Sequence, residues 1–569
     1  MTGTGEGSEA PGRPQRKPRR VWPLHPLGFA LFPTLSLYAA NLAEVPWTDV
    51  LRPLIVVLAA TLGMGLALLV TLRDRNKAAA LLSGLLLLAF SYGQVLVLQP
   101  LVKEVLILLV PTKATNINPH LCLLPLWGLG VLGVMVACLR SRRDFAKATS
   151  ALNVAALALV ALPLATIGRT YGGPRPAAAR AAADVSPSAA PGPKTNGQSV
   201  AAGSSAAPDI YYIVLDAYGR QDVLRAFYGY DNEPFLRELE KRGFFVAREG
   251  RSNYVQTVLS LASSLNMTYL DGVAPEVRAR PRDVSPASAM VDRSAVAAFL
   301  RARGYRHVAI SNDFPLTQVA SADVLLKAEP PAATPRLTVF EGLLLNTTPL
   351  AAVPLAERSL YDRHRENIRT AFEHLSRTAP RLPGPKFVHA HIIAPHPPFV
   401  FGPNGEPVEP ANRPFTLGDG SDFTRRSTRD EYRRGYVGQV QYVNRRVLAA
   451  IDDILARSKR RPVIIVQGDH GPRMMMDWQD IRKTDLREPL ANLNAFYLPD
   501  GKAADVFYDD ITPVNSFRLL LNHCFGAHFE RLSDRSYYST LDKPYDFTDV
   551  TNETKAAPTG NRALVPQNR

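Results

Sequence analysis

The stretch Pro462-Val463-Ile464-Ile465-Val466-Gln467-Gly468-Asp469-His470-Gly471 decides how this chain reads. A short, β-branched apolar run is the pattern of a strand buried on both faces. It ends in a carboxylate and an imidazole side by side, with a glycine to turn the backbone. Such a pair reads either as a turn with a hydrogen-bonded imidazole or as one half of a metal site, whose other half has to come from far upstream.

Upstream, Ile210-Tyr211-Tyr212-Ile213-Val214-Leu215 has the same character and stops at Asp216. Open α/β sheets gather their sites at the carboxyl ends of such strands. Residues 233–242 carry a helical pattern closed by Gly243 and followed by the short strand Phe244-Phe245-Val246. Ser294 caps a helix through Arg303, Gly304 ends it, and His307–Ile310 returns as a strand. Lys386–Ile392, a helix around 431–457, the Val463 run, Asn494–Leu498 and a helix opened by Pro513 toward Asn522 continue the alternation. This predicts an α/β domain with a doubly wound, mainly parallel sheet.

Between the first strand and the second half of the domain lies Ser252-Asn253-Tyr254-Val255-Gln256-Thr257-Val258-Leu259-Ser260. A helix that begins near Thr257 puts its hydroxyl where free backbone N–H groups and the helix dipole favour an anion, which suits a nucleophile attacking phosphate. A threonine hydroxyl is too weakly acidic to attack unaided and needs a base or a coordinated cation. Asp216, Asp469 and His470 are the residues that supply one, and their mixed O/N ligation fits one divalent metal, Zn or Mn.

The first third of the chain is different. At 569 residues the protein exceeds one compact core. Its net charge of +15 lies beside apolar segments rather than on a nucleic-acid-binding motif, so membrane topology and not nucleic acid explains it. Residues 1–23 read as a basic cytoplasmic tail and 24–168 as a five-span transmembrane domain, with apolar segments near 24–44, 51–72, 78–98, 120–139 and 150–168. Arg73, Arg75 and Lys77 in one connection, and Arg140, Arg142, Arg143 and Lys147 in another, mark the cytoplasmic side. A shorter apolar run at 105–110 fits the interface, and an odd number of spans places the chain beyond residue 168 outside the cytoplasm. Residues 169–207 form an Ala/Pro/Gly/Ser-rich linker, 208–540 the extracytoplasmic catalytic domain and 541–569 a loose polar tail. Cys524 alone in the soluble part excludes a disulfide within it.

An acidic residue closing the first strand, Thr257 in T-x-x-S-[LV] and a late D-H-G resemble the alkaline phosphatase superfamily. Within it the chain looks most like sulfatase-like membrane transferases, the lipoteichoic acid synthases and phosphoethanolamine transferases. The resemblance implies that Asp216, Thr257, Asp469 and His470 hold the metal, that Thr257 is the nucleophile, and that His396 in Ala394-Pro395-His396-Pro397-Pro398-Phe399 contacts the transferred group or its leaving oxygen. This chain has Asp216 where those transferases usually carry Glu, and Pro472 where Glu commonly follows D-H-G. It lacks the C/S-x-P-x-R of sulfatases proper.

Asn253, His391, Arg220 and Arg473 are further candidates for substrate contact. His391 shares a strand face with His389, and a packed core role is the equal reading for either. Both arginines read equally as solvated surface charges. His523, Cys524 and His528 read as packing rather than a zinc cluster.

The function this implies is transfer of phosphoglycerol or phosphoethanolamine from a phospholipid donor in the membrane to an envelope glycan or lipid through a phospho-threonine intermediate. The alternatives are a membrane-tethered phosphodiesterase or phosphatase and a non-catalytic glycan-binding scaffold. The expected location is a bacterial-type cytoplasmic (inner) membrane with the catalytic domain periplasmic.

Overall fold

A computed structural model describes residues 21–42, 45, 47–97, 119–141, 145–172, 207–273, 278, 281–312, 314–328, 337–408, 415–425 and 427–554. Residues 1–20 of the basic tail, the run at 105–110, linker residues 173–206 and the end of the chain from 555 lie outside them. The chain divides into two units: 1–40, 50–169 and 344–352 form one, and 41–49, 170–343 and 353–569 the other.

The first unit is helical: α1 His25–Ala40, α2 Thr48–Leu72, α3 Arg75–Val97, α4 Pro119–Arg140 and α5 Ala146–Gly172. Among the described residues four helices are long and apolar enough to cross a membrane, within α2, α3, α4 and α5. α2 leaves Ile55, Val56, Leu62, Leu66 and Val70 exposed, and α5 leaves Val154, Leu157 and Leu162 exposed, a surface suited to hydrocarbon. The protein is an integral membrane protein. α1, expected from its sequence to be the first of five spans, is helical for only 16 residues and contains Pro33. Such a helix rises about 24 Å against a hydrocarbon core of about 30 Å, so the odd span count behind the orientation depends on α1. The unit also takes in Leu344–Ala352 from far along the chain, where Gly93 N donates to Thr347 O at 3.0 Å.

The second unit is built on a seven-stranded sheet of order β2-β7-β6-β1-β5-β3-β4. The strands are β1 Ile210–Leu215, β2 Phe245–Ala247, β3 Arg306–Ile310, β4 Val324–Leu326, β5 Lys386–Ile392, β6 Val463–Gly468 and β7 Asn494–Tyr497. β7 alone in this sheet runs against its neighbours, so the sheet is mainly parallel, as the alternation of strands and helices predicts.

Alternation along β1 shows why both faces are covered. Tyr211, Ile213 and Leu215 join one apolar cluster and Ile210, Tyr212 and Val214 another. On the first face pack α6 Gln221–Tyr228 and α7 Glu233–Lys241; on the second pack α8 Thr257–Asn266, α9 Ser285–Asp292 and α10 Ala295–Arg301. Further along the chain, α11 Val339–Asn346 precedes α12 Pro354–Glu373 and α13 Arg429–Arg457, which cover the first face, and α14 Pro513–Phe525 covers the second. Each fully buried Leu, Ile, Val or Phe contributes about 1.5–3 kcal/mol. α13 starts at a capping box between Thr428 and Glu431, and Ser294 accepts from Ala297 N to cap α10, as its sequence predicts.

Two stretches depart from the sequence reading. β4 escaped it because three half-buried residues carry no period. The expected loose tail is packed through residue 554: Tyr545 is fully buried, Val550 is buried beside Trp478, and Thr548–Asp549 pairs with Tyr537–Tyr538. Its few apolar residues are spaced widely enough that the polar ones between them dominate its composition.

Candidate metal centre and nucleophile

Strand register assembles the site. Leu215 lies opposite Gly468 on one side and Ile392 on the other, so Asp216 and Asp469 leave the sheet as neighbours. Backbone contacts hold that edge: Asp216 N donates to Ile392 O at 2.9 Å, and His396 N donates to Asp216 O at 3.0 Å. Gly468 and Gly471 are required sterically. A Cβ at Gly468 would lie 2.5 Å from Tyr218 O, and one at Gly471 would run into the carbonyl oxygens of Glu488 and Ala491. The hydroxyls of Ser252 and Ser260 both donate to Asp469 O at 2.6 Å.

His470 Nδ1 donates to Gly471 O at 2.7 Å, which turns the Nε2 lone pair inward. Nε2 lies 2.9 Å from Thr257 Oγ1, 3.0 Å from Asp469 Oδ2 and 3.5 Å from Asp216 Oδ1. Ligand atoms of Asp216, Asp469 and His470 all lie within 4.8 Å of one another. Asp216 Oδ1 and Asp469 Oδ2 are buried without a hydrogen-bond partner. Two orphaned carboxylate oxygens facing an imidazole lone pair fit a divalent cation, which satisfies all three. Burial raises the Asp216 carboxyl, but the imidazoles of His396, His391 and His470 outweigh it and hold the group well below the usual carboxylate range.

Thr257 is the first residue of α8, and the N-cap residue Gln256 gives that helix no side-chain cap. Its hydroxyl thus sits at a helix N-terminus beside the three candidate ligands.

His396 is buried at the rim of the same edge. Its Nδ1 donates to Pro397 O at 2.5 Å, and Nε2 faces Asp419 Oδ2 at 3.7 Å. Asp419 escaped the sequence reading; its one signal is a carboxylate between Gly418 and Gly420. It accepts from Tyr432 OH at 2.8 Å, and its backbone oxygen accepts from Trp478 Nε1 at 2.9 Å. Arg473 is buried with its guanidinium 4.9 Å over Trp478 and 3.9 Å from Asp419, so it belongs to this cluster and is not a solvated charge.

The other candidates have different roles. Arg220 is held by Asp222 at 2.7 and 2.8 Å and donates to Gly250 O, so its fork is already occupied. Asn253 accepts from Val514 N and donates to Arg535 O, which anchors the loop before Thr257 rather than a substrate. His391 is 3 % exposed and lies 3.2 Å from Asp216 Oδ2, behind the carboxylate. His389 stacks on Tyr212 in the core. His523 pairs with Asp500 at 2.7 Å, consistent with the packing reading.

A family model described as Sulfatase matches residues 208–510, more than half of the chain. The chain belongs to the sulfatase family. It is thus a sulfatase-family enzyme. No curated protein matches it. Among solved structures, the sulfatase-family chain is similar to the C-terminal periplasmic domain of EptC from Escherichia coli, at 12% identity over 60% of this chain and 92% of that one, with a TM-score of 0.38. It is similar to the integral membrane lipooligosaccharide phosphoethanolamine transferase EptA from Neisseria meningitidis, at 12% identity over 87% and 94%, TM-score 0.36. The phosphonate monoester hydrolase of Agrobacterium radiobacter is similar at 15% identity over 58% and 80%, TM-score 0.37. Likeness at that level assigns no residue and no substrate.

Proposed function

We propose that this sulfatase-family enzyme moves phosphoglycerol or phosphoethanolamine from a membrane phospholipid to an envelope glycan or lipid, through a phospho-threonine at Thr257. The observation that carries this reading is the 2.9 Å approach of Thr257 Oγ1 to His470 Nε2, beside two unpartnered carboxylate oxygens, in a chain with membrane-spanning helices. Asp216, Asp469, His470 and Thr257 would hold one Zn or Mn ion. That ion, when bound, lowers the pKa of the Thr257 hydroxyl and offsets charge on the phosphoryl oxygens.

Thr257 Oγ gives its proton to solvent, from which it regains one when displaced, and forms the bond to phosphorus while the bond from phosphorus to the diacylglycerol oxygen breaks. His396, whose Nδ1 is engaged by Pro397 O, offers Nε2 to protonate that leaving oxygen. In the second half the acceptor hydroxyl loses its proton to the same nitrogen and displaces Thr257. The start of α8 offers backbone N–H groups to the phosphoryl oxygens. Membrane anchoring keeps the site at high effective lipid concentration, with the catalytic unit on the extracytoplasmic, periplasmic side.

Incubating the purified full chain with Zn or Mn and labelled phospholipid vesicles is expected to release diacylglycerol; no release from any donor overturns the reading. Asp216 in place of the usual Glu favours a second reading, hydrolysis with water as acceptor, and product analysis with and without a glycan acceptor separates the two.

A further inference from the structure

Behind Asp216 lies a buried cluster, His391, Asn312 and Thr317, outside the candidate ligand set. Phe314 N donates to Asn312 Oδ1 at 2.9 Å, which fixes the amide orientation of Asn312 and turns its Nδ2 toward His391. Asn312 Nδ2 lies 2.9 Å from His391 Nδ1 and 3.0 Å from Thr317 Oγ1, and Thr317 Oγ1 lies 2.9 Å from the same ring nitrogen. An amide nitrogen only donates, so His391 Nδ1 is an acceptor and the ring proton sits on Nε2. Nε2 lies 3.2 Å from Asp216 Oδ2 in an alignment short of a hydrogen bond, and both Nε2 and Asp216 Oδ1, the oxygen nearer His470, are buried without a hydrogen-bond partner. Asn312, Thr317 and His391 are all buried.

We propose that His391 is a positioning residue: held in the Nε2–H tautomer by Asn312 and Thr317, it turns its unpartnered Nε2–H toward Asp216 Oδ2, closes that hydrogen bond when a cation binds, and so presents Oδ1 to the cation. This rests on the metal reading of Asp216, Asp469 and His470. It assigns His391 to the ligand's support rather than to substrate, and it makes Asn312, which touches neither metal nor substrate, a determinant of metal affinity.

The test compares two amides of different reach. The glutamine amide nitrogen occupies the place of imidazole Nε2, whereas the asparagine amide reaches only the place of Nδ1. Zn affinity of the full-length protein is measured by competition with a chromophoric chelator. His391→Gln is expected to bind Zn within about threefold of wild type, and His391→Asn about 10–100-fold more weakly. Asn312→Leu, which leaves the imidazole in place but removes the donor that fixes its tautomer, is expected to weaken binding about tenfold or more. Equal affinities for the two His391 variants, or wild-type affinity in Asn312→Leu, overturn the proposal and leave the metal site standing. A wild-type protein that binds neither Zn nor Mn overturns the metal reading and this one with it. Matching circular dichroism among the variants excludes misfolding as the source of a loss.

Discussion

Thr257 and His470 meet at 2.9 Å although 213 positions separate them in the chain. The hydroxyl has two candidate roles, attack on phosphorus and ligation of the cation, and removing it removes the covalent step. Thr257→Ala is expected to lower diacylglycerol release by at least about 10³-fold and to abolish the phosphorylated peptide seen by mass spectrometry. Thr257→Ser keeps the oxygen and should retain both. An alanine variant with full turnover would sink the nucleophile assignment.

Gly471 lies against two carbonyl oxygens, those of Glu488 and Ala491. Gly471→Ala must displace the loop that carries Asp469 and His470. A loss of about 1–3 kcal/mol in stability is expected, together with weakened Zn binding. Thermal melting and chelator competition read the two effects separately, and an unchanged Tm would show that the loop yields freely.

Glu488 is fully buried against Tyr228 OH and Met475 N, and burial pushes its carboxyl up to about 8. The unfolded carboxyl loses its proton near 4.5. The native state therefore binds the extra proton between those values, and stability falls as pH rises through that window. Glu488→Gln removes the titration and is expected to raise Tm by several degrees at pH 8 with little effect near pH 4.5. A parallel pair of Tm profiles would show that Glu488 is charged in the native protein.

His307 shows the opposite slope. Burial, with Arg301 nearby, lowers its imidazole to about 4 against an unfolded value near 6.5. The unfolded chain takes up the proton first, so stability falls as pH drops from about 6.5 to about 4, by up to roughly 3 kcal/mol. His307→Phe, which keeps the stack on Phe387, is expected to flatten part of that acid limb. The fraction left belongs to His389, also held well below its ordinary value by burial.

Polar residues that close apolar runs were legible in the sequence: Asp216 after β1, Asp469 and His470 after β6, and Thr257 opening α8. Each is marked by a local change of pattern, which is why four residues from three separated stretches pointed to one place. Asp419, and Asn312 behind His391, carry no such mark, because their meaning arises from contacts between distant segments. The partners of Arg220 and Asn253 are hidden for the same reason, since a side chain held by Asp222 or by Val514 N looks no different in sequence from a free one. Adjacent strands were legible in kind, whereas the reversed direction of β7 and the brief β4 depended on pairing that no residue announces.

α8 opens at Thr257 with Gln256 directing its amide to Ser539 and Thr540 instead of to the helix. On the proposed mechanism a phosphoryl group on Thr257 would stand in for that side-chain cap by accepting from the free N–H groups of the first turn. Substrate occupancy becomes visible as slowed amide exchange at Val258 and Leu259. Changes that stiffen α8 from its far end, near its left-handed terminus at Met267, would then act on release of the transferred group.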